Sequence, residues 1–170
     1  ETITLIYLVM FFFGNFFLVM FLLLYFRNIK DLFFYPKPKR FPTLTFIVPS
    51  YNEEDSILKT LKSLVDLDYP KDKMKVVVVN DGSKDDTRKI VEKFMESNSI
   101  VSIFNKKNSG KADSLNQALN RIDTELFAVV DADSHPTPDS VKKMVGYFED
   151  LKIAAVTSRV LVQNKKNFIE

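Results

Sequence analysis

Hydrophobic and polar positions divide this chain into two unlike parts. From Ile3 to Phe26 there is no charged residue, and the polar interruptions are Thr4, Gly14 and Asn15. An α-helix rises about 1.5 Å per residue and needs about 20 apolar residues to cross the hydrocarbon core of a bilayer. The run is long enough, and it predicts one N-terminal transmembrane helix within residues 1–27. A cleaved signal peptide fits poorly, because no basic region precedes the run and no small-residue cleavage site follows it. A buried core helix fits poorly too, since so many Phe and Leu faces exceed what a short domain can cover. Asn15, near the middle, hints at a neighbouring helix in the bilayer, because a buried amide seeks a partner.

Past the span the pattern becomes mixed. Arg27, Lys30, Lys37, Lys39 and Arg40 cluster there with Asp31 as the single acid, which by the positive-inside bias marks the cytoplasmic side. Leu32–Tyr35 reads as an interfacial segment, and Pro36 and Pro38 stiffen a basic linker over 28–43. The remainder, 44–170, is expected to be a cytoplasmic domain tethered to the cell membrane.

Short apolar runs then alternate with stretches of helical spacing. Leu44–Val48 is a strand ended by Pro49, and Ser56–Leu67 carries Ile57, Leu58, Leu61, Leu64 and Val65 on one helical face. Lys75–Asp81 is a second strand whose middle, Val76–Val79, is continuously apolar, as in a strand buried on both faces of a parallel sheet. Asp85–Met95 predicts a second helix, Ile100–Phe104 a third strand and Ala112–Ile122 a third helix. Leu126–Val130 is the fourth strand, Pro138–Phe148 the next helix and Ile153–Thr157 a fifth strand. Such alternation predicts an α/β, Rossmann-like, mostly parallel sheet with flanking helices.

Composition narrows the chemistry. A net charge of +2 lacks the concentrated basic face of a nucleic-acid binder, so no nucleic-acid partner is expected. The absence of cysteine excludes disulfides and thiolate metal sites. No Gly-x-Gly-x-x-Gly and no Walker motif occur, which argues against a dinucleotide oxidoreductase and a P-loop NTPase.

Ligands of parallel sheets bind outside the carboxyl ends of the strands, and polar clusters stand at three of those ends. The first strand leads into Tyr51, Asn52 and Glu53, the second ends in Asn80 and Asp81, and the fourth leads into Asp131 and Asp133. In extended backbone, residues i and i+2 face the same side, so both Asp carboxylates can face one cation or one phosphate-bearing ligand. Hard carboxylate oxygens select Mg²⁺ or Mn²⁺, which commonly bridge protein acids to substrate phosphates. Ser109-Gly110-Lys111 adds N–H groups, a helix dipole and an ammonium, all suited to phosphate. Tyr51 offers an aromatic face for a base.

Pro49-Ser-Tyr-Asn-Glu53, Val79-Asn-Asp-Gly-Ser83, Asn108-Ser-Gly-Lys-Ala112 with Leu115-Asn116, and Asp131-Ala-Asp133 resemble the ordered motifs of family 2 glycosyltransferases with the GT-A fold. The resemblance covers about Leu44 to Val162. It implies a donor site in which Pro49 belongs to the first motif and Tyr51 stacks on the base. Glu53 and Asp81 would hold the uridine, Lys111 would approach the diphosphate, Asp131 would contact the nucleotide-sugar and Asp133 would bind the metal. The membrane helix and the Gly-Lys-Ala-x-x-Leu-Asn form are similar to the processive, membrane-embedded branch that includes cellulose, chitin, hyaluronan and poly-N-acetylglucosamine synthases. The implied partners are a nucleotide-sugar donor, a saccharide or lipid acceptor and membrane lipid.

The chain departs from that pattern where the acceptor half should be. It has no Trp, hence no Gln-x-x-Arg-Trp, and the general base is expected beyond Glu170. Residues 44–170 therefore read as a truncated, donor-binding part that is inactive alone. Glu149 and Asp150 read as a solvated face, and the lone His135 as a capping or surface residue more than a ligand. A polyprenyl or dolichyl phosphate sugar synthase is the nearest alternative. A non-catalytic nucleotide-sugar sensor is the rival of another class.

Overall fold

The computed structural model describes residues 2–30, 34–159 and 161. The chain forms two compact units, Glu1–Tyr35 and Pro36–Glu170. The first unit is dominated by helix α1, Thr2–Asn28, a candidate membrane span by length and composition, with no side chain buried. The Asn15 amide donates to the Phe11 carbonyl one turn back at 2.8 Å. Leu32 and Phe33 of the expected interfacial segment lie outside the described residues.

The second unit is built on four parallel strands: β1 (Leu44–Ser50), β2 (Met74–Asn80), β3 (Val101–Asn105) and β4 (Leu126–Val129). Helices α2 (Ile57–Val65), α3 (Thr87–Met95) and α4 (Lys111–Leu119) connect them in turn, and α5 (Ser140–Val145) follows β4. The strand order is β3-β2-β1-β4. The chain thus walks outward from β1 to β3, then crosses back over the sheet through α4 to place β4 on the other side of β1.

Alternation along β1 explains why that strand is central. Phe46 and Val48 face one way, into the larger core with α2, α3 and α5, while Ile47 faces the other way, against Val79 and Ala118 under α4. Pro49 lies inside β1 without breaking the ladder. The Ile47 carbonyl accepts Val130 on the β4 side and the Ser50 carbonyl accepts Asp81 on the β2 side. Pro49 therefore turns its missing N–H toward β4, beyond the last paired residue, Ile47.

The expected helix over Pro138–Phe148 is shorter, with Asp139 as N-cap of α5 and a 3₁₀ turn over Gly146–Glu149. The expected fifth strand is a correction. Residues 153–159 form no ladder, because a β-rich run becomes a strand only when its N–H and C=O groups find a partner, and they do not join β4, an edge strand among the described residues. On the α4 side of that edge Phe127 and Val129 stay 53% and 44% exposed.

Residues Pro36–Thr43 lie along the amino ends of the strands and are held there. Arg40 forks onto both Glu125 carboxylate oxygens at 2.9 and 2.5 Å, and Glu125 also accepts the Thr43 N–H at 3.1 Å. The Lys39 N–H reaches Glu149 at 3.0 Å, and the Tyr69 hydroxyl donates to the Pro42 carbonyl at 2.6 Å. Gly146 makes room for this strap, since a Cβ there would sit 1.7 Å from the Pro36 carbonyl oxygen. The Arg40 hydrogen bonds, aided by the Thr43 N–H, hold the Glu125 carboxyl down at about 2, against an ordinary 4.5. A depressed carboxylate stabilises the fold above its unfolded pKa, and that contribution is lost as pH falls toward the folded value. Thermal melts should therefore show a midpoint that drops between pH 4.5 and 2, and Glu125→Gln should lower the midpoint at pH 7 while making the acid drop shallower.

Candidate functional site

The reversal of strand order between β1 and β4 is a topological switch point, the place where open parallel sheets leave a crevice at their carboxyl ends. Three loops meet around it: residues 51–56 after β1, 81–86 after β2 and 130–139 after β4. The N-terminal end of α4 closes the rim.

The first two loops are clamped together by reciprocal hydrogen bonds. The Asn52 N–H donates to Ser83 Oγ at 3.0 Å, and its side-chain oxygen accepts the Lys84 N–H at 2.9 Å. The Glu53 N–H donates to Thr87 Oγ1 at 2.8 Å. The Glu54 N–H donates to Asp85 Oδ2 at 3.1 Å, while Glu54 accepts the Asp86 N–H at 2.8 Å. Asn52 has φ +56°, a left-handed conformation that Asn tolerates better than most residues. Burial pushes the Asp85 carboxyl up, but the Thr87 hydroxyl and N–H and the Glu54 N–H outweigh it and hold it below the usual range. The clamp leaves Tyr51 44% exposed on the rim. Glu53 folds back onto the start of α2 and accepts the Ser56 hydroxyl at 2.5 Å.

Asp81 is buried rather than displayed. Its carboxylate takes the Lys106 ammonium, the Ser109 N–H at 2.9 Å and the Gly110 N–H at 2.8 Å. Burial raises its pKa, and these three donors more than offset that, so it is held below the ordinary carboxylate range. Two N–H groups expected to face a phosphate are thus already satisfied by an internal anion. Gly110, at φ +93°, is the N-cap of α4. Lys111, the first residue of α4, reaches across the crevice to Asp131 Oδ1 at 2.5 Å, with both side chains more than half exposed.

The two Asp residues do not stand on a strand. β4 ends at Val129, and the Ser134 N–H closes a turn on the Asp131 carbonyl at 2.9 Å. Ala132, 4% exposed, plugs inward between them, and its carbonyl accepts the buried Thr60 hydroxyl at 2.7 Å. Both carboxylates therefore open to solvent over an anchored turn. His135 Nδ1 lies 3.5 Å from the same Thr60 oxygen. Among the described residues no group of three or more His, Asp or Glu gathers as a metal cage. Two exposed carboxylates fit a hard divalent cation that completes its shell with phosphate and water, and do not fit a structural metal.

Sequence reading did not single out Thr60, Lys106, Asp85 and Thr87, whose side chains hold Ala132, Asp81, Glu54 and Glu53 on the rim. Ser50 escaped it as well: its hydroxyl is buried at the end of β1 without a hydrogen-bond partner among the described residues. The one available signal was the spacing Asp81-Gly-Ser-x-Asp-x-Thr87, in which every polar residue is used by a neighbouring loop.

Residues 45–170 match Glycosyl transferase family 2. The chain is 32% identical over 127 residues to the poly-beta-1,6-N-acetyl-D-glucosamine synthase of Staphylococcus aureus, covering 74% of this chain and 30% of that relative. The mannosyltransferase PcManGT of Pyrobaculum calidifontis, solved with GDP-Man and Mn²⁺, superposes with a TM-score of 0.66 at 34% identity, over 76% of this chain and 40% of its own. Staphylococcus aureus TarS in complex with UDP-GlcNAc superposes at 0.60 with 30% identity, over 71% of this chain and 37% of its own. The parallel sheet and its flanking helices have the GT-A architecture that the motifs implied. This chain therefore spans under half the length of the proteins it resembles, and with the match running from residue 45 to residue 170 it belongs to glycosyl transferase family 2.

Proposed function

We propose that residues 44–170 bind a UDP-sugar at the β1/β4 switch point, as the donor-binding part of a metal-dependent, inverting glycosyltransferase that extends a polysaccharide. The observation that carries the reading is the meeting of Lys111 and Asp131 across that crevice, since a cation and an anion aimed at one point suit a metal-bound diphosphate. In this reading Tyr51 presents its ring to the base, beside Pro49 and Ser50. Glu53 and the remaining acceptor position of Asp81 face the uridine. Lys111 turns from Asp131 to the diphosphate and Asp131 to the sugar-bearing end, while Asp133 takes the metal. A bound Mg²⁺ or Mn²⁺ supplies positive charge for the departing diphosphate.

In the transfer itself, an acceptor hydroxyl attacks the anomeric carbon as the nucleoside diphosphate leaves from the opposite face, which inverts the configuration. Its proton passes to a general base, assigned to the part of the relatives that this chain does not match. The UDP-GlcNAc complex of TarS favours a uridine donor, and the name of the Staphylococcus aureus synthase favours a polymer product. Helix α1 would hold the domain at the cytoplasmic face of the cell membrane.

The test is calorimetry on the full chain in lipid nanodiscs. UDP should bind with Mn²⁺ present and lose most of its affinity in EDTA. Equal affinity in both conditions would overturn the metal assignment, and no binding in either would overturn the donor site.

A further inference from the structure

We propose that Lys106 is a positioning residue for the phosphate-facing end of α4, acting through Asp81 and the first turn of the helix to set where Lys111 stands. The inference rests on the donor-site reading above. Lys106 follows β3, and its side chain is only 6% exposed. A charge taken out of water is tolerated only when it is paired and hydrogen-bonded. Lys106 has such partners on three separate pieces of chain. Its ammonium touches the Asp81 carboxylate at the end of β2, itself 7% exposed, and the Ser109 hydroxyl in the loop. It also lies 3.2 Å from Asp113 Oδ2 and 3.4 Å from Ser114 Oγ, in the first turn of α4.

The backbone makes the same connection. The Lys106 N–H donates to the Asn80 carbonyl at 3.0 Å, and Asp81 in turn takes the N–H groups of Ser109 and Gly110. Ser109 also donates its hydroxyl to Asp113. The end of β2 and the start of α4 are thus sewn together around one ammonium. Lys111 sits inside this knot, between Gly110 and Asp113, and its own ammonium crosses to Asp131. Lys106 spends its charge inside the protein, so it orders the cation that meets the ligand and does not serve as that cation. Its neighbour Lys107 is exposed, so the adjacent lysines are not equivalent. Of the two, burial alone singles out Lys106.

The experiment measures UDP affinity with Mn²⁺ by calorimetry, using the full chain in nanodiscs. Wild type, Lys106→Met, Lys106→Arg, Lys111→Ala and the Lys106→Met/Lys111→Ala double variant are compared. If wild type does not bind, the donor-site reading fails and not this one. If it binds, Lys106→Met should weaken affinity about tenfold, a size usual for coupled neighbours, and Lys106→Arg should stay within about threefold. In the Lys111→Ala background, Lys106→Met should add less than about twofold, because its effect runs through Lys111. A residue that only supports the fold would lower the melting temperature and leave the affinity of the folded protein unchanged. That outcome, or a full tenfold loss on top of Lys111→Ala, overturns the proposal. If Lys106→Met does not fold, Lys106→Gln, which keeps a donor for Asp81 without the charge, takes its place with the same criteria.

Discussion

Asp133→Ala is expected to abolish the dependence of UDP binding on Mn²⁺. Asp133 is exposed on a turn that is anchored by its neighbour Ala132, so the substitution removes a carboxylate without removing a support. Exposed substitutions of this kind usually shift stability by less than about 0.5 kcal/mol, and the melting temperature should hardly move. The metal effect should be large. Losing even a partner one layer out from a metal typically costs ~10–100-fold in metal affinity, and a direct ligand should cost at least about 100-fold. Asp72→Ala, an exposed acid in the 3₁₀ turn that leads into β2, is the control and should leave binding unchanged. Continued enhancement of UDP binding by Mn²⁺ in Asp133→Ala would remove that residue from the site.

Periodicity reported the elements of the domain because each presents an apolar face to a neighbour, and burial is what spacing records. The continuous run Val76–Val79 read as a doubly covered strand, and β2 is packed on both faces. Strand order was not legible. A helical crossover of a given length can return to either side of a sheet, and nothing in Ala112–Ile122 says that α4 carries β4 past β2 and β1. The run Ile153–Thr157 shows the converse limit, since β-branched composition describes a surface that fits a sheet without supplying the pairing partner. The candidate site residues read alike in the sequence and differ in their surroundings. Asp81 and Asp131 both follow apolar strands, yet one carboxylate is enclosed by Lys106 and two N–H groups and the other stands open. Only the packing of the α4 loop, distant in sequence from both, separates them.

Phe46→Ala should carry the largest stability cost. Phe46 is 1% exposed in the central strand, so truncation leaves a cavity that flanking strands and α2 cannot collapse to fill. Buried Phe→Ala changes cost about 3–5 kcal/mol, and whole domains have only about 5–15 kcal/mol to lose. Thermal denaturation should shift down by roughly 10–20 °C. Phe127 on neighbouring β4 supplies the contrast: it is 53% exposed, and Phe127→Ser should change the midpoint by no more than about 2 °C. Equal shifts for the two variants would mean that the sheet faces are assigned the wrong way round.

The two sides of the rim differ in stiffness, and this sets how a ligand would meet them. Between residues 52–54 and 83–87 the ordering entropy is lost when the domain folds, because hydrogen bonds in both directions already hold the loops. A ligand of the proposed kind would meet a preformed wall on the Tyr51 side. On the other side an exposed ion pair, Lys111–Asp131, is worth at most about 1 kcal/mol. Its two charges could be traded for those of an incoming ligand at little net cost, so the crevice is rigid on the Tyr51 side and exchangeable on the Lys111–Asp131 side.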